Sequence, residues 1–311
     1  MARMMWTSPA GRASLRGWAL PATGAGRGPE EYRLLTRCLI AGVFASLAII
    51  PAAAKGAAAP GGWKLVWHDE FDESDIDPSN WKFDLGGGGW GNGEAECYTS
   101  RKENAYVEGG LLRIVARREK YGGSDFTSAR LKSEGLRAFR CGRIEARMKV
   151  PAGDGLWPAF WLLGSDIAEK GWPACGEIDV MEYIGKDPDL VYGTMHGPGY
   201  SGQAGIGKRF CLPEKVAHDF HVFAVEWDTD QVRWLCDDAA YSVVTRADLG
   251  GKKWVFDHPF FIILNLAVGG VFPGPVAPDT PFPSELSVDY VRVYEKVPRD
   301  SGPRTEAPSK Q

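Results

Sequence analysis

The sequence predicts an all-β sandwich. From about Gly61 onward the chain breaks into short runs rich in β-branched and aromatic residues, several of them alternating apolar with polar. Clusters of turn formers separate the runs, among them "PAGDG", "GKDPD", "HGPGY" and "FPGPVAPD". With 39 Gly, 21 Pro and 12 Trp in 311 residues, and no sustained helical period, the composition is that of a turn-rich β protein with aromatic surfaces.

The elements follow in chain order. Residues 1–59 form an N-terminal extension. Arg33 and Arg37 precede the apolar run "LIAGVFASLAII" (39–50), and "PAAAKGAAAP" follows it. A basic flank, a short apolar stretch and small residues describe a secretory signal, with cleavage after Ala54 or Ala59. The run is shorter than the roughly 20 residues of a membrane span. The expectation is therefore a secreted protein, extracellular or periplasmic, with no stable membrane association once the signal is removed.

Residues 60–297 form one domain. Its expected strands are "WKLVWHDEF" (63–71), "GGLLRIVARRE" (109–119), "CGRIEARMKV" (141–150), "WPAFWLLG" (157–164), "EIDVMEYI" (177–184), "LVYGTMHG" (190–197), "FHVFAVEWD" (220–228), "QVRWLCDD" (231–238), "PFFIILNLAVGG" (259–270) and "SVDYVRVYE" (287–295). "HGPGYSGQAGIGKRFCLP" (196–213) reads as a Gly-rich loop. Residues 298–311 are polar and Pro-rich, an expected disordered tail.

Charge and cysteine content exclude several functions. The net charge is −4, so there is no basic excess with which to meet nucleic-acid phosphates. Five cysteines follow the signal: Cys97, Cys141, Cys175, Cys211 and Cys236. None forms a CxxC pair, which argues against a zinc or redox motif. They are expected as small buried residues, with any disulfide pairing left open.

The densest chemistry lies in "GWPACGEIDVMEYIG" (171–185). In an extended strand Glu177 and Asp179 share a face, and Glu182 has the wrong parity. One extra residue, a β-bulge around Val180–Met181, would bring Glu182 to the same side. Three neighbouring carboxyls repel, so at least one should hold its proton unusually tightly. A carboxylate beside a carboxylic acid is what cleavage of a glycosidic bond needs, and a separation of about 5–5.5 Å would mean retention of configuration. Trp157, Trp161 and Trp172 supply indoles able to stack on sugar rings. The alternatives on the residues alone are an exposed acidic strand or a Ca²⁺ site.

The motif resembles the active-site signature of glycoside hydrolase family 16, in its laminarinase-like branch of endo-β-1,3-glucanases. "WHDEFDESDIDPSNW" (67–81), "GGGGWGNGEAECYTSRKENAYVEGGLLRIVARRE" (86–119), "GRIEARMKVPAGDGLWPAFWLLG" (142–164) and "VDYVRVYE" (288–295) extend the resemblance in order. It implies a β-jelly roll of two antiparallel sheets with an open substrate cleft on the concave one. It implies Glu177 as nucleophile, Asp179 as its helper, Glu182 as general acid/base and His196 near the acid/base. Trp161 and Trp172 match cleft aromatics, and Asn92 and Arg130 match sugar-contacting positions. Cys97 and Cys141 depart from the family, which often has aromatic residues there.

The resemblance implies no catalytic cofactor, and a structural Ca²⁺ near Glu70, the Gly110 carbonyl and Asp289. The implied partner is β-glucan, cut by a monomer working by double displacement. Mixed-linkage glucan is a further substrate. The alternatives are a relative acting on galactans such as agar or carrageenan, a transglycosylase, and an inactive glucan-binding protein.

Overall fold

The computed structural model describes residues 60–297, so the expected signal segment and tail lie outside the described residues. Two largely antiparallel sheets face each other across one apolar core. The seven-stranded sheet runs, in spatial order, Ile206–Cys211, Leu190–His196, Glu177–Glu182, Leu156–Gly164, Phe260–Val268, Arg130–Lys132 and Lys82–Phe83. The ten-stranded sheet runs Ala239–Thr245, Gln231–Cys236, His221–Trp227, Gly142–Lys149, Ser284–Lys296, Leu111–Tyr121, Ser124–Ser128 and Glu96–Tyr98. Trp63–Asp69 joins it beside Ser284–Lys296, and Ala105–Glu108 beside Leu111–Tyr121.

Phe260–Val268 explains why its sequence is apolar at nearly every position. Phe260, Ile262, Leu264, Leu266 and Val268 point into the main core. Phe261 and Ile263 point the other way, into a smaller cluster with Leu163, Cys175 and the half-buried Trp161. The strand is covered on both faces, so period-2 alternation vanishes. Asn265 interrupts the run on the second face and is itself buried.

Every expected strand is present. The segment read as a Gly-rich loop is partly a strand: Ile206–Cys211 forms the edge of the seven-stranded sheet, paired from Leu190↔Cys211 to Met195↔Ile206. Gly207 allows this, since a Cβ there would lie 1.9 Å from the Gly193 carbonyl oxygen. All five described cysteines are free thiols; Cys97, Cys175 and Cys236 are buried, whereas Cys141 is half-buried and Cys211 exposed. Among the described residues no helix is long and apolar enough to cross a membrane.

Candidate active site

The strand Glu177–Glu182 carries the predicted bulge. Against Leu156–Gly164 its register runs Asp179↔Trp161 and then Met181↔Phe160, so Val180 is the extra residue. Against Leu190–His196 it runs Asp179↔Thr194 and then Glu182↔Tyr192. Val180 and Met181 consequently both enter the core, with Ile178 before them. Glu182 returns to the face that bears Glu177 and Asp179. Residues 157, 159 and 161 of the neighbouring strand share a face, and the triad lies beside it: Ala159 is opposite Glu182 and Trp161 opposite Asp179.

A bulge disturbs ladder hydrogen bonding, and the second sheet compensates. The fully buried Trp234 reaches across the core and donates its indole N–H to the Asp179 carbonyl at 2.8 Å. Gly193 makes room for it: a Cβ there would sit 2.4 Å from Trp234 Cδ1 and from the Tyr241 hydroxyl.

The three carboxyls are held differently. Glu177 Oε2 accepts the Trp172 indole N–H at 3.1 Å, and its Oε1 lies 3.7 Å from His196 Nε2. His196 Nε2 comes to 3.1 Å from Asp179 Oδ2. Glu182 Oε1 accepts the Trp157 indole N–H at 3.1 Å. His196, expected near the acid/base, therefore makes its closest approaches to Asp179 and Glu177, directly opposite Glu177 in the ladder. Glu177 keeps 16% of its side-chain exposure and Asp179 only 7%. Substrate can thus reach the first, whereas the second is walled in.

Burial pushes all three carboxyls well above the ordinary carboxylate range, and Asp179 raises Glu177 and Glu182 further by repulsion. His196 and the two indoles oppose this. The cluster therefore retains protons at a pH where solvated acids are bare. Glu177 receives Trp172 and has His196 within ion-pair reach, so its anion is the better supported. Glu182 has one indole donor and is the better proton store. Bare carboxylate and protonated acid are the two states a displacement at an anomeric carbon requires.

The remaining predicted residues divide. Trp172 is 49% exposed and extends from the loop before the strand, 6.2 Å from the His196 ring. Trp161 donates its N–H to Asn265 Oδ1 at 2.8 Å. Arg130 lies 3.0 Å from Asp84 and is sandwiched by Trp161 and Trp90, at 4.7 and 5.1 Å from their ring centroids. A planar guanidinium between indoles is held in one orientation. Asn92 spends its side-chain N–H on Glu94 at 3.0 Å, and its main-chain carbonyl accepts the Val271 N–H. Sequence reading passed over Asn265, Trp90, Glu94 and the contact of Trp157 with Glu182. For Asn265 a signal existed, the lone polar residue in an otherwise apolar strand.

The three calcium positions lie elsewhere, at the Ser284–Lys296 strand. Its pairings Asp69↔Val291 and Val288↔Leu112 bring Glu70, Asp289 and Gly110 toward one region. Both side-chain carboxylates are already matched, however. Glu70 accepts two bonds of 2.8 Å from Arg292, and Asp289 accepts one of 2.8 Å from Arg147. Side-chain ligation of Ca²⁺ would displace an arginine, so those donors do not fit the ion as they stand.

A β-sandwich bearing a proton-retaining carboxyl cluster between indoles on one sheet face belongs, by class, with the glycoside hydrolases. The sequence profile described as glycosyl hydrolases family 16 matches residues 92–292, and the chain belongs to that family. A β-glucanase of Rhodothermus marinus is 44% identical over 76% of this chain and 86% of its own length. The endo-β-1,3-glucanase of Pyrococcus furiosus superposes with a TM-score of 0.72 at 49% identity, covering 75% of this chain and 94% of that one. The laminarinase catalytic domain of Thermotoga maritima does so with a TM-score of 0.72 at 52% identity, covering 75% and 98%. These jelly-roll relatives match the two-sheet architecture.

Proposed function

We propose that this protein is an endo-acting, retaining β-1,3-glucanase. The observation that carries the reading is the register slip between Asp179 and Glu182, which brings both glutamates to one face between Trp172 and Trp157. The likeness to endo-β-1,3-glucanases and laminarinases supports the substrate class. Glu177 attacks the anomeric carbon as Glu182 gives its proton to the departing glycosidic oxygen, leaving a glycosyl ester on Glu177. Glu182, now a carboxylate, takes a proton from water as the water attacks that ester, which frees Glu177 and restores the acid. Asp179 and His196 do no bond making. They set the charge beside Glu177, with His196 Nε2 3.1 Å from Asp179 Oδ2 and 3.7 Å from Glu177 Oε1.

The test offers laminarin, curdlan, barley β-glucan, agarose and carrageenan to the purified protein. Laminarin and curdlan are expected to yield oligosaccharides, barley β-glucan to be cut more slowly, and the galactans to stay intact. NMR of the first products should show the β anomer. Products from agarose alone, or an initial α anomer, would reject the substrate or the double displacement respectively.

Export and a monomeric state complete the proposal. The basic–apolar–small pattern of residues 33–59 supports the first. A structural Ca²⁺ at Glu70, the Gly110 carbonyl and Asp289 is proposed only with Arg292 and Arg147 displaced from the two carboxylates. An ion that binds the folded chain alone contributes about 2.7 kcal/mol at a hundredfold excess over Kd. The melting temperature should then fall by several degrees in chelator and recover with added Ca²⁺. An unchanged melting curve removes the site.

A further inference from the structure

A second pair of carboxyls lies behind the cleft face, and the chemistry above does not use it. Glu96 is fully buried on Glu96–Tyr98, and Glu94 precedes it on the same segment at 9% exposure. Glu96 Oε2 accepts the Val268 backbone N–H at 2.7 Å, while its Oε1 has no other donor. The two carboxyls lie within hydrogen-bonding reach of each other. Glu94 Oε1 accepts the Asn92 amide, and its Oε2 accepts the Tyr98 hydroxyl, both at 3.0 Å. The Tyr98 oxygen in turn accepts Asn265 Nδ2 at 3.2 Å, and Asn265 Oδ1 accepts Trp161.

The direction of the bonds from Trp161 to Glu94 is constrained. Indole N–H can only donate, so Asn265 must present its oxygen to Trp161 and its amide to Tyr98. Tyr98 must then donate to Glu94. Glu94 Oε1 and Oε2 each accept one of these donors, which leaves Glu96 Oε1 as the carboxyl oxygen of the two residues with no donor. Two bare carboxylates in contact inside a protein are costly, and no cation pairs with Glu96 among the described contacts. The balance closes if Glu96 carries a proton and donates it to Glu94. Burial and Glu94 both push the Glu96 carboxyl up, in agreement.

We infer that Glu94 and Glu96 form one proton-sharing carboxyl pair that positions Trp161 and Asn92 for glucan binding. Glu94 is the acceptor that orients both arms, and Glu96 is the donor beside it. The inference rests on the glucanase reading, because it concerns the wall on which that substrate lies. Neither residue touches the reacting atoms, so both are positioning residues, and their loss acts on binding before it acts on bond cleavage.

The experiment compares Glu94→Gln, Glu96→Gln and Glu96→Leu with the unaltered chain. It records kcat and KM on laminarin, oligosaccharide affinity by calorimetry, and melting temperature. Glutamine at 96 reproduces the protonated acid, with its oxygen toward Val268 and its amide donating to Glu94. KM should stay within about twofold of the unaltered chain. Glutamine at 94 offers one acceptor where two are needed, and should raise KM and weaken oligosaccharide binding about five- to tenfold, with kcat within about twofold. Glu96→Leu should raise KM like Glu94→Gln. A Glu94→Gln variant with normal KM and affinity, or with kcat falling in step with melting temperature, overturns the inference. Equal losses from Glu96→Gln and Glu96→Leu overturn the proton placement. An unaltered chain that neither binds nor cleaves laminarin refutes the glucanase reading, and this inference with it.

Discussion

Glu177→Gln should lower laminarin turnover by about three to five orders of magnitude, as loss of a covalent nucleophile does. It should leave the circular dichroism spectrum unchanged. The amide has the shape of the acid and can keep the Trp172 N–H on its oxygen, but it cannot form the glycosyl ester. The same variant should be more stable than the parent at neutral pH. Burial raises Glu177 well above the ordinary carboxylate range. Above about pH 4.3 the unfolded chain releases protons that the carboxyl cluster of the folded chain retains, so stability falls as pH rises through that window. Removing one member of the cluster makes the fall shallower. The melting temperature should rise by a few degrees at pH 7 and hardly at all at pH 4. Turnover within tenfold of the parent would move the nucleophile elsewhere. A melting temperature lowered equally at both pH values would show that Glu177 is a structural acid.

That trade between stability and reactivity was partly legible in the sequence. Parity alone exposed the conflict in E-x-D-x-x-E, because a regular strand cannot place all three acids on one face. The conflict is resolved by a local device, one extra residue, and local devices leave local signals. What holds the device in place left none. Trp234 is 55 positions from the carbonyl it satisfies, and Asn265 is 167 positions from Tyr98. Such pairs are created by sheet order, which brings Phe260–Val268 between Leu156–Gly164 and Arg130–Lys132. Composition and periodicity carry no record of it.

The arginine partners of the two calcium-position carboxylates are hidden for the same reason. Glu70 reads as an uncommitted acid until the pairing of Trp63–Asp69 with Ser284–Lys296 brings Arg292 to it. The strand Ile206–Cys211 was hidden differently. Its glycines read as loop, although Gly207 is there because the neighbouring strand passes too close for a side chain.

Glu182→Gln should separate the two halves of the reaction. On laminarin the loss should be about two to four orders of magnitude, the range for a general acid whose leaving group is a poorly acidic alcohol. An aryl β-glucoside oligomer departs without a proton, so its first step should be nearly unimpaired and release a burst of phenol. The glycosyl ester on Glu177 then persists, because no carboxylate remains to deprotonate water, and mass spectrometry should find it. The pH profile should change as well. In the parent, Glu182 is pushed up by burial and by Asp179 and so stays protonated to higher pH than a solvated acid, which defines the alkaline limb of kcat/KM. With glutamine that limb should vanish while the acid limb, set by ionisation of Glu177, persists. An alkaline limb that survives the substitution assigns the acid to another member of the cluster, Asp179 being the nearest. The same burst from Glu177→Gln would reverse the two roles, because the residue that forms the ester cannot be absent when the ester accumulates.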